Sequence, residues 1–214
     1  MDPTEAADQI REAIEEEREQ RAEADRFRSV AALMIAVLAM LLAITTLGGG
    51  NVAEDMVNSN IKASDTWSFY QAKNVRQTVN ELAADQLELE LLRQPAGLSP
   101  AIRKAYQEKI GKYRSRVERY ESEPDPKAPN DPAQGEGKKE LMARAKQYEQ
   151  IRHRAQEQDP NFDYAEALFQ IAIVLGSVAI LATSRPVLRI SIGMGLLATV
   201  LMLNGYFLLF PLPF

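Results

Sequence analysis

The sequence predicts an all-α membrane protein with three transmembrane helices and an extracytoplasmic, antiparallel coiled-coil helical stalk. Three observations carry this. Val30–Leu47 and Ile190–Phe210 are long runs without a charge, and Ala165–Thr183 is nearly as apolar. The stretch between Leu47 and Ala165 is dense in charge and repeats its apolar residues at helical spacing. No strand-like alternation of apolar and polar residues occurs anywhere.

Composition narrows the chemistry. The chain has 214 residues, with 25 Lys+Arg against 30 Asp+Glu and a formal charge of −5. It has no cysteine and one histidine. That excludes a disulfide framework, a Cys-based metal site, a Cys nucleophile and a multi-His metal site. The mean hydropathy of −0.26 averages two unlike halves.

Residues 1–29 read as a charged cytoplasmic N-terminal helix, with Asp2, Pro3 and Glu5 in a capping pattern. Residues 30–47 form transmembrane helix 1. At ~1.5 Å per residue the run covers about 27 Å, close to the thickness of a hydrocarbon core. It follows a long mixed-charge segment and precedes Gly48-Gly49-Gly50, a poor cleavage site, so it reads as a retained anchor. Residues 164–183 form transmembrane helix 2, residues 184–189 a cytoplasmic hairpin loop, and residues 190–210 transmembrane helix 3. Arg18, Arg21, Arg26 and Arg28 precede the first span, and Arg185 and Arg189 flank the hairpin loop. The positive-inside rule then places the N-terminus in the cytoplasm, and residues 51–163 and the C-terminus outside.

Residues 51–163 are expected to be helical, with a Pro-rich linker at 122–137. Trp67, Tyr70, Val75, Val79, Leu82 and Leu87 share a helical spacing, and Asn58-Ser59-Asn60 is a weak point. A turn at Gln94–Leu98 leads to Ser99-Pro100, an N-cap followed by proline at the first helical position. Ile102, Tyr106, Ile110, Tyr113, Val117 and Tyr120 then recur at spacings close to a heptad seam. The segment from Glu123 to Pro132 carries four prolines and is expected to be mobile. Helix resumes near Lys138, with Leu141, Ala145, Tyr148, Ile151 and Ala155 on one face. One long outgoing helix matched by two shorter returning ones gives the antiparallel stalk.

Candidate functional residues are few. An acid in a span is a functional hypothesis by default, which singles out Glu166. Asp163 can N-cap the second span, which puts Glu166 at the third position of a capping box. Gln170 and Asn204 lie 17 residues either side of Val187, the centre of the hairpin loop, and are expected to hydrogen-bond to each other. The same mirror sets Gly176 against Ala198. The basic stretch from Arg103 to Arg119 interleaves tyrosines, but these sit on the heptad face, so the stretch reads as a seam with a solvated basic face and not as a nucleic-acid site. His153, between Arg152 and Arg154, reads as a surface residue. No phosphate loop, nucleophile elbow or metal-ligand cluster stands out.

The segment Asp65–Arg76 contains Trp67, Tyr70, Gln71, Ala72 and Lys73. It resembles the Trp-x-x-Tyr-Gln-Ala-Lys motif of a bacterial domain family of unknown function. Phe162–Glu166 leading into Ile171–Leu175 is a second point of likeness, and Ser184-Arg185-Pro186 departs from the family's more aromatic and basic hairpin loop. The resemblance implies one N-terminal span, a charged helical middle and a C-terminal helical hairpin in a bacterial inner membrane. It implies no activity. The expected function is non-enzymatic: a structural or accessory membrane protein, acting as a homo-oligomer or a small subunit of a larger membrane complex. It needs no cofactor or metal and has the lipid bilayer as a partner, with no nucleic acid and no identifiable small-molecule substrate. The alternative is an oligomeric ion channel or transporter whose path is lined by Glu166, Gln170 and Asn204.

Overall fold

A computed structural model describes residues 3–93, 97–128 and 130–211, with side chains among residues 3–13 described only at Arg11. The proposed cap at Asp2 and Glu5 and most of the turn at 94–98 lie outside the described residues. Among those described there are four helices and no strand: α1 (Pro3–Arg93), α2 (Pro100–Glu121), α3 (Lys138–Leu181) and α4 (Arg185–Phe207). Three of them, α1, α3 and α4, are long and apolar enough to cross a membrane.

α1 does not break at Gly48–Gly50 or at Asn58–Asn60. Glycine in a helix interior costs about 1 kcal/mol relative to alanine, and packing around Gly48 and Gly49 outweighs it, as described below. α2 begins as the sequence predicts: the Ser99 side chain accepts a hydrogen bond from the Ile102 N–H at 3.3 Å, and Pro100 occupies the first turn.

The chain divides into two compact units, one of Met1–Ala53 with Ala155–Phe214 and one of Glu54–Arg154. In the first, the buried residues are mostly small. Ala31, Ala165, Ala172, Ala179 and Ala198 are fully or nearly fully buried, together with Leu38, Phe169 and Met202. The Cβ that Gly176 lacks would lie 2.9 Å from Ile35, and that of Gly195 2.5 Å from Leu38. Gly176 therefore faces α1 and not Ala198: the close approach is between the hairpin and α1. Large aliphatics point outward, among them Leu33, Met40, Leu47, Val174 and Leu196.

The hairpin turn is tighter than the sequence suggests. α4 starts at Arg185, so residues 185–189 are helical and the turn is confined to 182–184. The α3 end is a Schellman motif: Ser184 N–H donates to the Ala179 carbonyl at 3.0 Å and Thr183 N–H to the Ile180 carbonyl at 3.4 Å. Thr183 holds the left-handed position with φ +48°. Glycine is the usual occupant, and its absence hides the stop from a sequence reading.

In the second unit, contacts descend α1 as they climb α2. Arg114 meets Asp85 (2.6 Å) and Glu88 (3.1 Å), and Gln77 Nε2 donates to Glu121 (3.2 Å). The same order holds against α3, where Lys138 donates to Asn74 (3.0 Å) and Arg152 to Asn60 (3.0 Å). Tyr106, Ile110, Tyr113, Val117 and Tyr120 are half-buried along one face of α2, but Ile102 is exposed. On α3, Leu141, Ala145 and Ala155 are buried and Tyr148 half-buried, while Ile151 points out and Arg152 takes the inward position. The largest correction concerns α1. Val75, Val79 and Leu82 are exposed, and the inward residues are Ala63, Thr66, Tyr70, Lys73, Gln77, Asn80, Ala84 and Leu87. Lys73 and Gln77 are accommodated because α2 and the linker present matching groups, while Thr66 and Asn80 donate to carbonyls of their own helix.

The linker is held in place by a set of hydrogen bonds. Glu136 N–H donates to the Glu123 carbonyl (2.9 Å) and Asp125 N–H to the Gln134 carbonyl (3.2 Å). Gly135 sits at φ +134° against the backbone of Glu123 and Pro124, a position that requires glycine.

Candidate functional site

The Trp-containing motif residues divide by their spacing on α1. Trp67, Tyr70 and Lys73 face inward or along the seam, while Gln71 and Ala72 are exposed. The Trp67 indole N–H donates to Glu149 on α3 at 2.8 Å, and its ring meets Tyr70 edge-on at 5.4 Å. Tyr70 carries the Lys138 ammonium over its ring at 5.8 Å. The largely buried Lys73 ammonium lies 3.5 Å from Glu123 and 3.7 Å from Glu136, and 5.9 Å from the Tyr120 ring centre. About two turns of α1 thus bind the end of α2, the linker and the N-terminal part of α3.

Around this junction lie residues that sequence reasoning missed. Glu140 is buried at the start of α3 and accepts from Ser122 Oγ (2.6 Å) and the Glu123 N–H (3.1 Å). Burial pushes its carboxyl up. The hydrogen bonds from Ser122, its own N–H and that of Glu123, helped by Lys139, outweigh this and hold its pKa below the ordinary value. The Glu121 carboxyl is likewise held low, first by the Gln77 hydrogen bond, against some burial, and then by Lys138 and Lys139. Arg144 donates to the carbonyls of Ala133 and Gly135, both at 2.8 Å, and so fastens the linker. In the sequence these are ordinary surface charges at the ends of a Pro-rich segment, and nothing in it marks them as partners.

The polar residues of the apolar helices do not assemble as the sequence predicts. Gln170 Nε2 donates to Glu166 at 3.1 Å, one turn away on the outer surface of α3. Asn204 is fully buried and pairs instead with Asn161 Oδ1 at 2.7 Å. It also donates to the Phe210 carbonyl and accepts from the Phe210 N–H, both at 2.9 Å. The expected Gln170–Asn204 bond fails because the turn lies earlier than Val187. The midpoint of 161 and 204 is 182.5, and that of Ala172 and Ser191, whose Oγ donates to the Ala172 carbonyl, is 181.5.

Asp163 is not an N-cap, since α3 runs unbroken from Lys138 through Pro160 to Leu181. Pro160 has no N–H to offer the Gln156 carbonyl and reads in the sequence as a boundary. The helix survives it because the neighbouring residues are deeply packed. Asn161 Nδ2 donates to the Glu157 carbonyl (2.9 Å), and Gln158 Nε2 reaches the Gly205 carbonyl (2.8 Å). The buried Phe162 ring is enclosed by glycines. Added Cβ atoms would meet its side chain at 2.7 Å from Gly48, 3.1 Å from Gly49 and 2.9 Å from Gly205. Tyr206 closes the pocket edge-on at 4.9 Å and donates to the Ile44 carbonyl at 3.1 Å. Three glycines inside apolar helices were the visible signal. Their shared partner was not.

Chemically, both clusters hold helices together: the buried amides are satisfied by one another and by backbone, and the charges by opposite charges, a hydroxyl and backbone groups. Among the described residues no group of His, Asp and Glu is arranged to hold a metal ion. A family model described as a domain of unknown function, DUF4337, matches residues 27–208. No curated protein and no solved structure matches the chain.

Proposed function

The chain belongs to the DUF4337 family of unknown function, and from that premise we propose a non-enzymatic structural or accessory protein of a membrane. It is anchored by the apolar segments of α1, α3 and α4, and residues 51–163 form an extramembrane helical coiled-coil stalk. It assembles with itself or as a small subunit of a larger membrane complex. The observation that carries the membrane reading is the inverted size pattern of the first unit, with alanine and glycine inside and large aliphatics outside. Helices packed in lipid gain nothing from hiding large apolar side chains and approach closely through small ones. The scaffold reading rests on the spending of Trp67, Tyr70 and Lys73 on contacts between helices.

Orientation follows from the arginines. Arg185 pairs with Glu23, so the hairpin turn and the arginine-bearing N-terminal segment share one end of this unit. By the positive-inside rule that end is cytoplasmic, in a bacterial inner membrane, and the stalk and C-terminus lie outside. Alkaline carbonate extraction followed by mass measurement in native lipid tests the proposal. The expected result is retention in the membrane fraction as a small multiple of 23.9 kDa, or in stoichiometric complex with larger subunits. Release into the soluble fraction would overturn it.

The Glu166–Gln170 pair favours a second reading, an oligomeric channel or transporter. Glu166 is a half-buried acid in an apolar helix, paired with Gln170 of the same helix, and an acid so placed marks an ion or proton path by default. Asn204, fully buried, takes no part in such a path. A Glu166→Gln variant that changes ion flux in liposomes without changing assembly would support this reading, and unchanged flux would remove it.

A further inference from the structure

α1 carries two heptad repeats on opposite faces. The inner one, Tyr70, Lys73, Gln77, Asn80, Ala84 and Leu87, is covered within the chain. The outer one lies two residues later, about 200° around a helix that turns 100° per residue. Its alternate positions are Ala72, Val79 and Gln86, interleaved with Ser68, Val75, Leu82 and Leu89. Val75 is 62% exposed, Val79 58%, Leu82 62% and Leu89 54%. The outer face is therefore more apolar than the inner one.

We propose that this outer stripe, residues 68–89 of α1, pairs with the same stripe of a second copy as a parallel, in-register two-stranded coiled coil. The stripe spans three heptads, with β-branched Val79 at the first core position and Leu82 and Leu89 at the second, the preference of parallel dimers. Gln86 falls at a core position. In a parallel pair it meets its own copy and the two amides satisfy each other, whereas an antiparallel pair sets it against apolar residues without a partner. The stripe is narrow, with Arg76, Glu81, Asp85 and Glu90 beside or near it, so it fits another helix and not a lipid surface. Asp85 and Glu90 would approach each other across a parallel pair. Each is already held by α2, Asp85 by Arg114 at 2.6 Å and Glu90 by the Tyr106 hydroxyl. The inference deepens the proposed function and rests on it, because anchoring through residues 30–47 gives both copies the same direction.

The absence of cysteine allows a direct test on the full chain in its membrane. Under copper phenanthroline, Leu82→Cys, Val75→Cys and Leu89→Cys are each expected to give a disulfide-linked species at twice 23.9 kDa, and Glu81→Cys is expected to stay monomeric. Leu82→Glu, at an exposed position, should keep the helical circular dichroism and abolish the dimer. Three results would overturn the inference: Leu82→Cys remaining monomeric in a carbonate-resistant membrane fraction, Val75→Cys chains cross-linking to Leu89→Cys chains while neither variant links to itself, as an antiparallel pair requires, or cross-linking to a different protein. Loss of the chain from that fraction would instead count against the membrane reading.

Discussion

Glu140 shows how a single side chain acquires a role from its surroundings. A buried carboxylate is costly unless it is hydrogen-bonded, and Ser122 Oγ and the Glu123 N–H supply those bonds. Its pKa is lowered in the folded state, so its stabilising contribution is complete above the unfolded value near ~4.3 and is lost as pH falls through the folded value. Glu140→Gln keeps the shape but turns one acceptor into a donor facing a donor. It should lower stability by about 2 kcal/mol and flatten the acid limb of the pH–stability curve, read by chemical denaturation in detergent at pH 7 and pH 4. Trp67 offers a second check, as the chain's one tryptophan. Glu149→Ala removes the partner of its indole N–H, with an expected cost of about 1–2 kcal/mol and a red shift of its emission.

At the scale of elements, glycine has opposite meanings at neighbouring positions of α1. An alanine Cβ at Gly48 would lie 2.5 Å from the Tyr206 hydroxyl and 2.7 Å from Phe162, whereas at Gly50 nothing lies within 4 Å. Gly48→Ala should destabilise by about 1–3 kcal/mol, because overpacking outweighs the gain in helix propensity. Gly50→Ala should stabilise by up to about 1 kcal/mol. Thermal unfolding of the two variants side by side checks both signs. Thr183 gives the converse case. A β-branched residue at φ +48° is strained, and Thr183→Gly should raise stability by about 1 kcal/mol, read as a higher unfolding midpoint. Glycine there would also have revealed the turn. Its absence, with Arg185-Pro186 entering α4 directly, shifted the predicted hairpin centre by about five residues and carried Gln170 and Asn204 into a false pairing.

For the whole molecule, the sequence by itself determined the helical class, the places of the three apolar segments, the Ser99-Pro100 helix start and the family motif. These depend on local hydropathy and capping, which a short window contains. The tertiary structure decided which side of each helix is inside. Periodicity marks a stripe but does not say whether it is covered, and α1 carries two. The spacing in the sequence groups Trp67, Tyr70 and Leu87 with Val75, Val79 and Leu82, which belong to the outer stripe. The fold covers the polar one instead, because Tyr120, Glu121, Glu123 and Lys138, far away in the chain, supply groups that match Tyr70, Lys73, Gln77 and Asn74. Asn161, Phe162 and Asn204 tell the same story: satisfying a buried amide and enclosing a ring are relations between distant segments, and no local pattern encodes the partner.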